Sequence, residues 1–367
     1  MKIVLNLTCI NNNPSGARNR IKFLYYYLIK NNPDYKFYIL EPKDSNIQSL
    51  FNGCKNIEFI KTKCLSYNSI QRFLLGRLTI PNIIEKIQPD IYEQFHLPLI
   101  ELKNVKIICT IHDIRYSSHL KQFVRPRFIS NFFLKKALQK SHKIITVSKS
   151  LQKDIKKFTK FNNIEYAYNV LDQRILLDKG KNKKNFNINE DFILSVGVIE
   201  DRKNYDTLLK SAYLIKNIHP NIKFYIVGSK TKYAQKLYKK MKLMNLENNI
   251  FFLHNVNDDE LSALYQRTKL FLFPSKYEGF GIPVLEAISY QCKILLSDIE
   301  VFKELTDNKV SYFEKDSCED LTYHILNVLN KSRSIKENYE LDKKVLENYT
   351  PKKITNKIIK LYESCVA

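Results

Sequence analysis

The chain has 367 residues, 60 Lys and Arg against 37 Asp and Glu, and a formal charge of +23. That length fits two domains, each able to bury a core, and no apolar run reaches the ~18 residues that a membrane-spanning helix needs. The seven cysteines, Cys9, Cys54, Cys64, Cys109, Cys292, Cys318 and Cys365, form no CxxC pair, so neither a zinc site nor a disulfide framework is expected.

The opening MKIVLNL is too short an apolar run for a signal peptide and reads as a first strand, so a cytoplasmic protein is expected. The loop NNNPSG and a helix over Ala17–Lys30 follow, and Pro33 and Asp34 turn the chain into a second strand, Lys36–Leu40. Strand, helix, strand predicts a doubly wound parallel sheet. Further strands are predicted at Ile57–Ile60, Ile91–Gln94, Val105–Thr110 and Lys143–Val147, with helices over Ile70–Gln88, Phe128–Leu138 and Lys149–Phe158. Residues 173–189, rich in Lys and Asn and without periodicity, read as a linker. The alternation then resumes: strands at Phe192–Val198, Lys223–Val227, Ile250–Leu253 and Lys293–Leu296, helices from about Tyr205, over Tyr233–Lys242 and Asp258–Gln266, and a last helix over Lys352–Glu363. The division is therefore residues 1–172, the linker 173–189, residues 190–351, and a C-terminal helix 352–367.

The segment FPSKYEGFGIPVLEA, Phe273–Ala287, reads as a strand end, a glycine turn and a helix start. Gly279 and Gly281 permit conformations and close approaches that a side chain blocks, and Pro283 suits a first helical position. The helix N-terminus is a seat for an anion or for sugar hydroxyls. Glu278 precedes the turn and Glu286 lies about one helical turn beyond Pro283, so both can reach a ligand held there. Arg202 and Lys203 stand in the loop after the strand Phe192–Val198, at the carboxyl end where ligands of open α/β sheets collect; a guanidinium fork and an ammonium suit a diphosphate. His112 follows a strand in TIHD, Thr110–Asp113, and taken alone is a satisfied loop histidine more often than a catalytic one.

This glycine turn with its two carboxylates resembles the E-x7-E segment of family 4 retaining glycosyltransferases. VGVIEDRKN, TIHD, ITVSKSLQKDI and the loop PSGARNR are similar to further stretches of that family. The resemblance implies the GT-B fold, two Rossmann-like domains facing a cleft, with the acceptor side in the first and the nucleotide-sugar side in the second. It implies that Glu278 holds donor-sugar hydroxyls, Glu286 the ribose, and Phe280, Gly281 and Ile282 backbone amides. Arg202 and Lys203 would neutralise the leaving diphosphate, Gly16 would approach the donor, and His112 would face the reaction centre. Departures are Arg18, where many relatives have a second glycine, and Val198, where many have an arginine.

The implied activity is retaining transfer of a hexose from a nucleotide-sugar to a glycan or lipid-linked acceptor. VG-x-x-E-x-RKN favours GDP-mannose as donor, and neither metal nor cofactor is expected. A GT-B epimerase or phosphorylase, or an inactive sugar-nucleotide sensor, would carry the same motifs. Nucleic acid is disfavoured, because no helix-turn-helix, zinc-finger or RNP-type signature occurs and the lysines spread over both halves. The charge therefore reflects either A/T-rich codon use or peripheral contact with anionic membrane. A candidate surface for that contact is Lys121–Lys143, where Lys121, Arg125, Arg127, Lys135, Lys136 and Lys140 interleave with Phe123, Phe128, Phe132 and Phe133.

Overall fold

The computed structural model describes residues 1–13, 15–114, 127–157, 159–172, 190–330 and 341–367. The chain forms two compact units, Met1–Val170 with Asn348–Ala367, and Leu171–Glu347. The predicted linker 173–189 lies outside the described residues, as do Lys121, Phe123 and Arg125.

The first unit is built on a seven-stranded sheet of order β3-β2-β1-β4-β5-β6-β7. Its strands are β1 (Lys2–Asn6), β2 (Lys36–Glu41), β3 (Ile57–Lys61), β4 (Ile91–Gln94), β5 (Lys106–Ile111), β6 (Lys143–Thr146) and β7 (Ile164–Tyr166). All pairs are parallel, with Leu5 opposite Ile39 on one side and Glu93 on the other. The interior strands are buried on both faces, as Ile/Val/Leu-rich parallel strands must be. The helices are α1 (Gly16–Asn19), α2 (Tyr26–Lys30), α3 (Ser69–Ile87), α4 (Arg127–Lys140) and α5 (Lys149–Lys156). Ser15, Asn68 and Ser148 cap α1, α3 and α5 by accepting from the third residue on.

The helix predicted over Ala17–Lys30 is interrupted by a π-helical stretch, Arg20–Tyr25. It begins at a guanidinium with no exposure that donates from Nη1 to the carbonyls of Ala167 and Tyr168, at 2.9 Å each, and to Asn169 Oδ1 at 3.0 Å. A buried cation needs acceptors, and the segment before Val170 supplies them.

The second unit is built on a six-stranded parallel sheet of order β10-β9-β8-β11-β12-β13. Its strands are β8 (Phe192–Val196), β9 (Lys223–Val227), β10 (Ile250–Leu253), β11 (Leu270–Phe273), β12 (Ile294–Ser297) and β13 (Ser311–Phe313). Its helices are α6 (Tyr205–Ile215), α7 (Lys232–Leu243), α8 (Asp258–Arg267), α9 (Ile282–Ser289), α10 (Glu300–Leu305), α11 (Cys318–Leu329) and α12 (Leu341–Leu346). In both sheets the strand order reverses beside the first strand, so each unit has a switch point at which ligands of such sheets bind.

The last helix, α13 (Pro351–Val366), returns to the first unit. Its Tyr362 hydroxyl donates to Glu93 Oε2, while Tyr25 donates to Oε1 at 2.7 Å and Thr110 also donates to Oε1. Burial raises the Glu93 carboxyl above its ordinary range against these donors and Arg20. Tyr362→Phe removes one donor from a buried carboxylate, and a loss of about 1–3 kcal/mol is expected, read as a lower urea midpoint with an unchanged slope.

Candidate active site

The second unit brings Arg202, Lys203 and Glu278 into direct contact. The glycine turn leaves β11 at Phe273, and Ser275 donates from Oγ to Glu278 Oε1 at 2.8 Å. Ser297, at the end of β12, donates to the Ser275 carbonyl at 2.5 Å, and the Lys276 amide donates to the Arg202 carbonyl at 2.7 Å. The loop is thus stitched to β12 on one side and to the turn that follows β8 on the other. Gly281 has φ +145°, and a Cβ there would lie 3.0 Å from Leu305, so glycine is required where α9 begins. Pro283 falls in the first turn of α9.

The sequence places Arg202 and Lys203 in the loop after β8, and the structure draws both inward from it. Residues Asp201–Lys203 form one 3-10 turn closed by Asn204 at φ 58°, and Lys203 is 5% exposed. Its ammonium meets Glu278 Oε1 at 2.6 Å and lies 4.3 Å from the centre of the Phe273 ring. Arg202 Nη1 donates to Glu278 Oε2 and Nε to Glu200 Oε1 at 2.6 Å. Gly197 makes room: a Cβ there would stand 2.9 Å from Lys203 Nζ. The reason is electrostatic, since a carboxylate only 9% exposed must keep its counter-charges inside with it.

Although burial opposes ionisation, Arg202 and Lys203 hold the Glu278 carboxyl down to about 2. Burial pushes the Lys203 ammonium down to about 8, with Glu278 opposing. At neutral pH this cluster is charged throughout. Ionised, Glu278 has no proton to donate; it can accept hydrogen bonds from hydroxyls and face positive charge.

Glu286 has the opposite character. It lies in α9 and accepts from the Tyr265 hydroxyl at 2.8 Å, and burial raises its carboxyl to about 7 against that bond. Tyr265, which sequence reading missed, is held by Tyr290, stacked at 5.3 Å and 9°. Phe280 is buried and Ile282 half-buried in the turn. His254 is structural: its two ring nitrogens meet the Gly228 carbonyl at 2.6 Å and the Tyr238 hydroxyl at 2.9 Å.

The remaining site candidates belong to the first unit. Gly16 is exposed at the start of α1, and a Cβ there would meet nothing within 4 Å, so the fold itself does not demand glycine. Arg18 donates from Nη1 to the Asn11 carbonyl at 2.6 Å and so closes the loop after β1. His112 follows β5 and lines a cavity of about 530 Å³. Its Nε2 is buried without a hydrogen-bond partner, and burial, with Arg20 adding to it, lowers the imidazole to about 3, so it is neutral.

Comparison with known proteins decides the family. Residues 15–174 match the model described as Glycosyltransferase Family 4, and residues 178–352 that described as Glycosyl transferases group 1. The chain belongs to glycosyltransferase family 4. It is 27% identical over 268 residues to the O-antigen chain mannosyltransferase RfbU of Salmonella typhimurium, covering 65% of this chain and 72% of that one. It is 30% identical over 129 residues to the serotype-specific mannosyltransferase WbdA of Escherichia coli, covering 35% of this chain and only 16% of WbdA. The structure of Anabaena HepE in complex with UDP-glucose superposes with a TM-score of 0.74 at 15% identity, over 99% of this chain and 100% of that one. The glycosyltransferase thus has the GT-B fold.

Lys203→Met removes one counter-charge from Glu278. Because Arg202 remains, a loss of about 3 kcal/mol at pH 7 is expected. Wild-type Glu278 has a depressed pKa, so its stabilisation is full above about pH 4.5 and is lost as pH falls towards about 2. In the variant the Glu278 pKa rises, so the gap between the two proteins should narrow between pH 7 and pH 4 in urea titrations.

Proposed function

We propose that this glycosyltransferase moves mannose from GDP-mannose, with retention, to a glycan or lipid-linked acceptor. The observation that carries the reading is Glu278, a carboxylate kept ionised by Arg202 and Lys203 and fixed by Ser275 at the mouth of the glycine turn. Mannose is supported by the names of RfbU and WbdA together with the VGVIEDRKN segment. RfbU is named for O-antigen chains, which supports an acceptor that carries a glycan portion, whether free or lipid-linked.

In this reading Glu278 accepts from hydroxyls of the donor sugar and faces the positive character that develops at its anomeric carbon. Arg202, with five donors in a fork, bridges Glu278 and the leaving diphosphate, while Lys203 sits behind and keeps Glu278 ionised. The N-terminus of α9 adds backbone amides towards the same charge. Glu286 accepts from the ribose. In this reading the acceptor attacks on the face the leaving group vacates, with Glu278 as a fixed negative charge beside the sugar and no metal taking part.

Glu278→Gln keeps the shape and removes the charge. Turnover of GDP-mannose should fall about a hundredfold, as for the loss of one preorganised electrostatic contact, with nucleotide affinity far less affected. Turnover within threefold of wild type would sink the assignment.

Glu286 supplies a pH test. A carboxyl raised to about 7 accepts from a ribose only when ionised, so GDP-mannose affinity should rise about tenfold between pH 6 and pH 8. Calorimetry should show this slope in the wild type and a flat profile in Glu286→Gln. UDP-glucose run in parallel tests the donor, and tighter binding of UDP-glucose would overturn the choice of GDP-mannose.

A further inference from the structure

The cavity beside His112 is within the usual size of a small-molecule site, at about 530 Å³. Its walls are apolar: Ile70, Phe73 and Leu74 from α3, Phe95 after β4, and Phe133 from α4. Polar side chains cluster where β5 ends, at Thr110, His112 and Asp113, and the rest of the lining adds His96, Ser69 and Ser130. A polar glycan would find few partners along such walls, whereas a molecule with a polar head and a hydrocarbon tail would match both ends.

The apolar surface does not stop at the mouth. Ile70, Leu74 and Leu78 are 71%, 56% and 73% exposed, and their i, i+4, i+8 spacing places them in one stripe along α3. Ile70 and Leu74 belong to both cavity and stripe, so the two are continuous. A helix that turns three large aliphatic side chains outward leaves apolar area that marks an interaction site. One cation stands beside a lining residue: Arg77 lies 5.6 Å from the centre of the Phe73 ring. At the inner end, His112 Nε2 is a buried polar atom with no partner in the protein, the seat that a ligand hydroxyl would fill.

We propose that this cavity binds the hydrocarbon chain of a lipid-linked acceptor, with the polar head at His112 and the tail leaving along Ile70, Leu74 and Leu78. This rests on the transferase reading above for the role of the head group, and it chooses the lipid-linked class of acceptor. A chain longer than the cavity continues on the α3 stripe, which accounts for aliphatic side chains left in water at that place and spacing.

The test uses the full chain with farnesyl diphosphate and inorganic diphosphate as probes, titrated calorimetrically with GDP present. Farnesyl diphosphate should bind at least tenfold more tightly than inorganic diphosphate. Ile70→Asp with Leu74→Asp should abolish at least tenfold of that difference while leaving GDP-mannose affinity unchanged; should that variant fail to unfold cooperatively, Ile70→Ser with Leu74→Ser replaces it. Equal binding of the two probes, or an unaffected variant, overturns the proposal. So does a wild-type dimer that the same substitutions dissociate without any chain-dependent binding, which would assign the stripe to a second copy. Chain-dependent binding without GDP-mannose binding would remove the donor reading and leave the lipid site standing, and the converse would do the reverse.

Discussion

The second unit is organised by one electrostatic requirement: a buried carboxylate must take its counter-charges inside with it. Glu278 meets Arg202 and Lys203, and the details around it follow from that arrangement. The 3-10 turn at Asp201–Lys203 directs the ammonium inward, Gly197 leaves it room, and Phe273 offers its ring face. Replacing such a cluster by apolar residues would often cost nothing in stability. Its presence at the carboxyl end of the sheet, where ligands of such sheets bind, therefore points to use of the charge.

The two carboxylates of the glycine turn differ because their neighbours differ. Glu278 has two cations against it and stays ionised at any ordinary pH; Glu286 has a tyrosine hydroxyl and burial, and sits near neutrality. Environments that push two acids apart assign them different work. The first suits a fixed negative charge beside developing positive charge. The second suits a contact whose strength follows pH. His112 in the first unit belongs with neither, since burial and Arg20 keep it uncharged, which leaves it a hydrogen-bonding role.

Much of this was legible in the sequence. Alternating apolar runs and helical segments announced two parallel-sheet units, and the glycine turn with its two glutamates announced the neighbourhood of the second unit's site. What remained hidden was short or distant. The strands Ile164–Tyr166 and Ser311–Phe313 have three residues each, too few for a period to register. The inward turn of Lys203 depends on Asn204 adopting a left-handed conformation, which a basic loop does not advertise. Tyr265 and Arg20 gain their meaning from partners far along the chain, Glu286 and the carbonyls of Ala167 and Tyr168. No local pattern encodes such pairs.

Charge drew attention to the segment Lys121–Lys143 as a membrane-facing surface, and the structure redistributes that weight. Lys136 and Lys140 are both engaged with Glu101, Phe133 packs edge-on against Phe73, and Leu134, Ala137 and Leu138 are buried. One side of that helix is therefore occupied by its own unit, while Phe132, at 60% exposed, Lys135 and Lys140 face outward. The outward apolar stripe lies instead on α3, in a stretch whose charge is unremarkable. Surface cations contribute little unless something anionic approaches them, and their attraction is screened within about 10 Å in ordinary salt. Exposed aliphatic side chains cost free energy in water whatever the salt. An apolar stripe continuous with a cavity is accordingly a stronger pointer to a lipid-bearing ligand than net charge, and it sets Ile70 and Leu74 above the lysines as the residues on which recognition of the tail would depend.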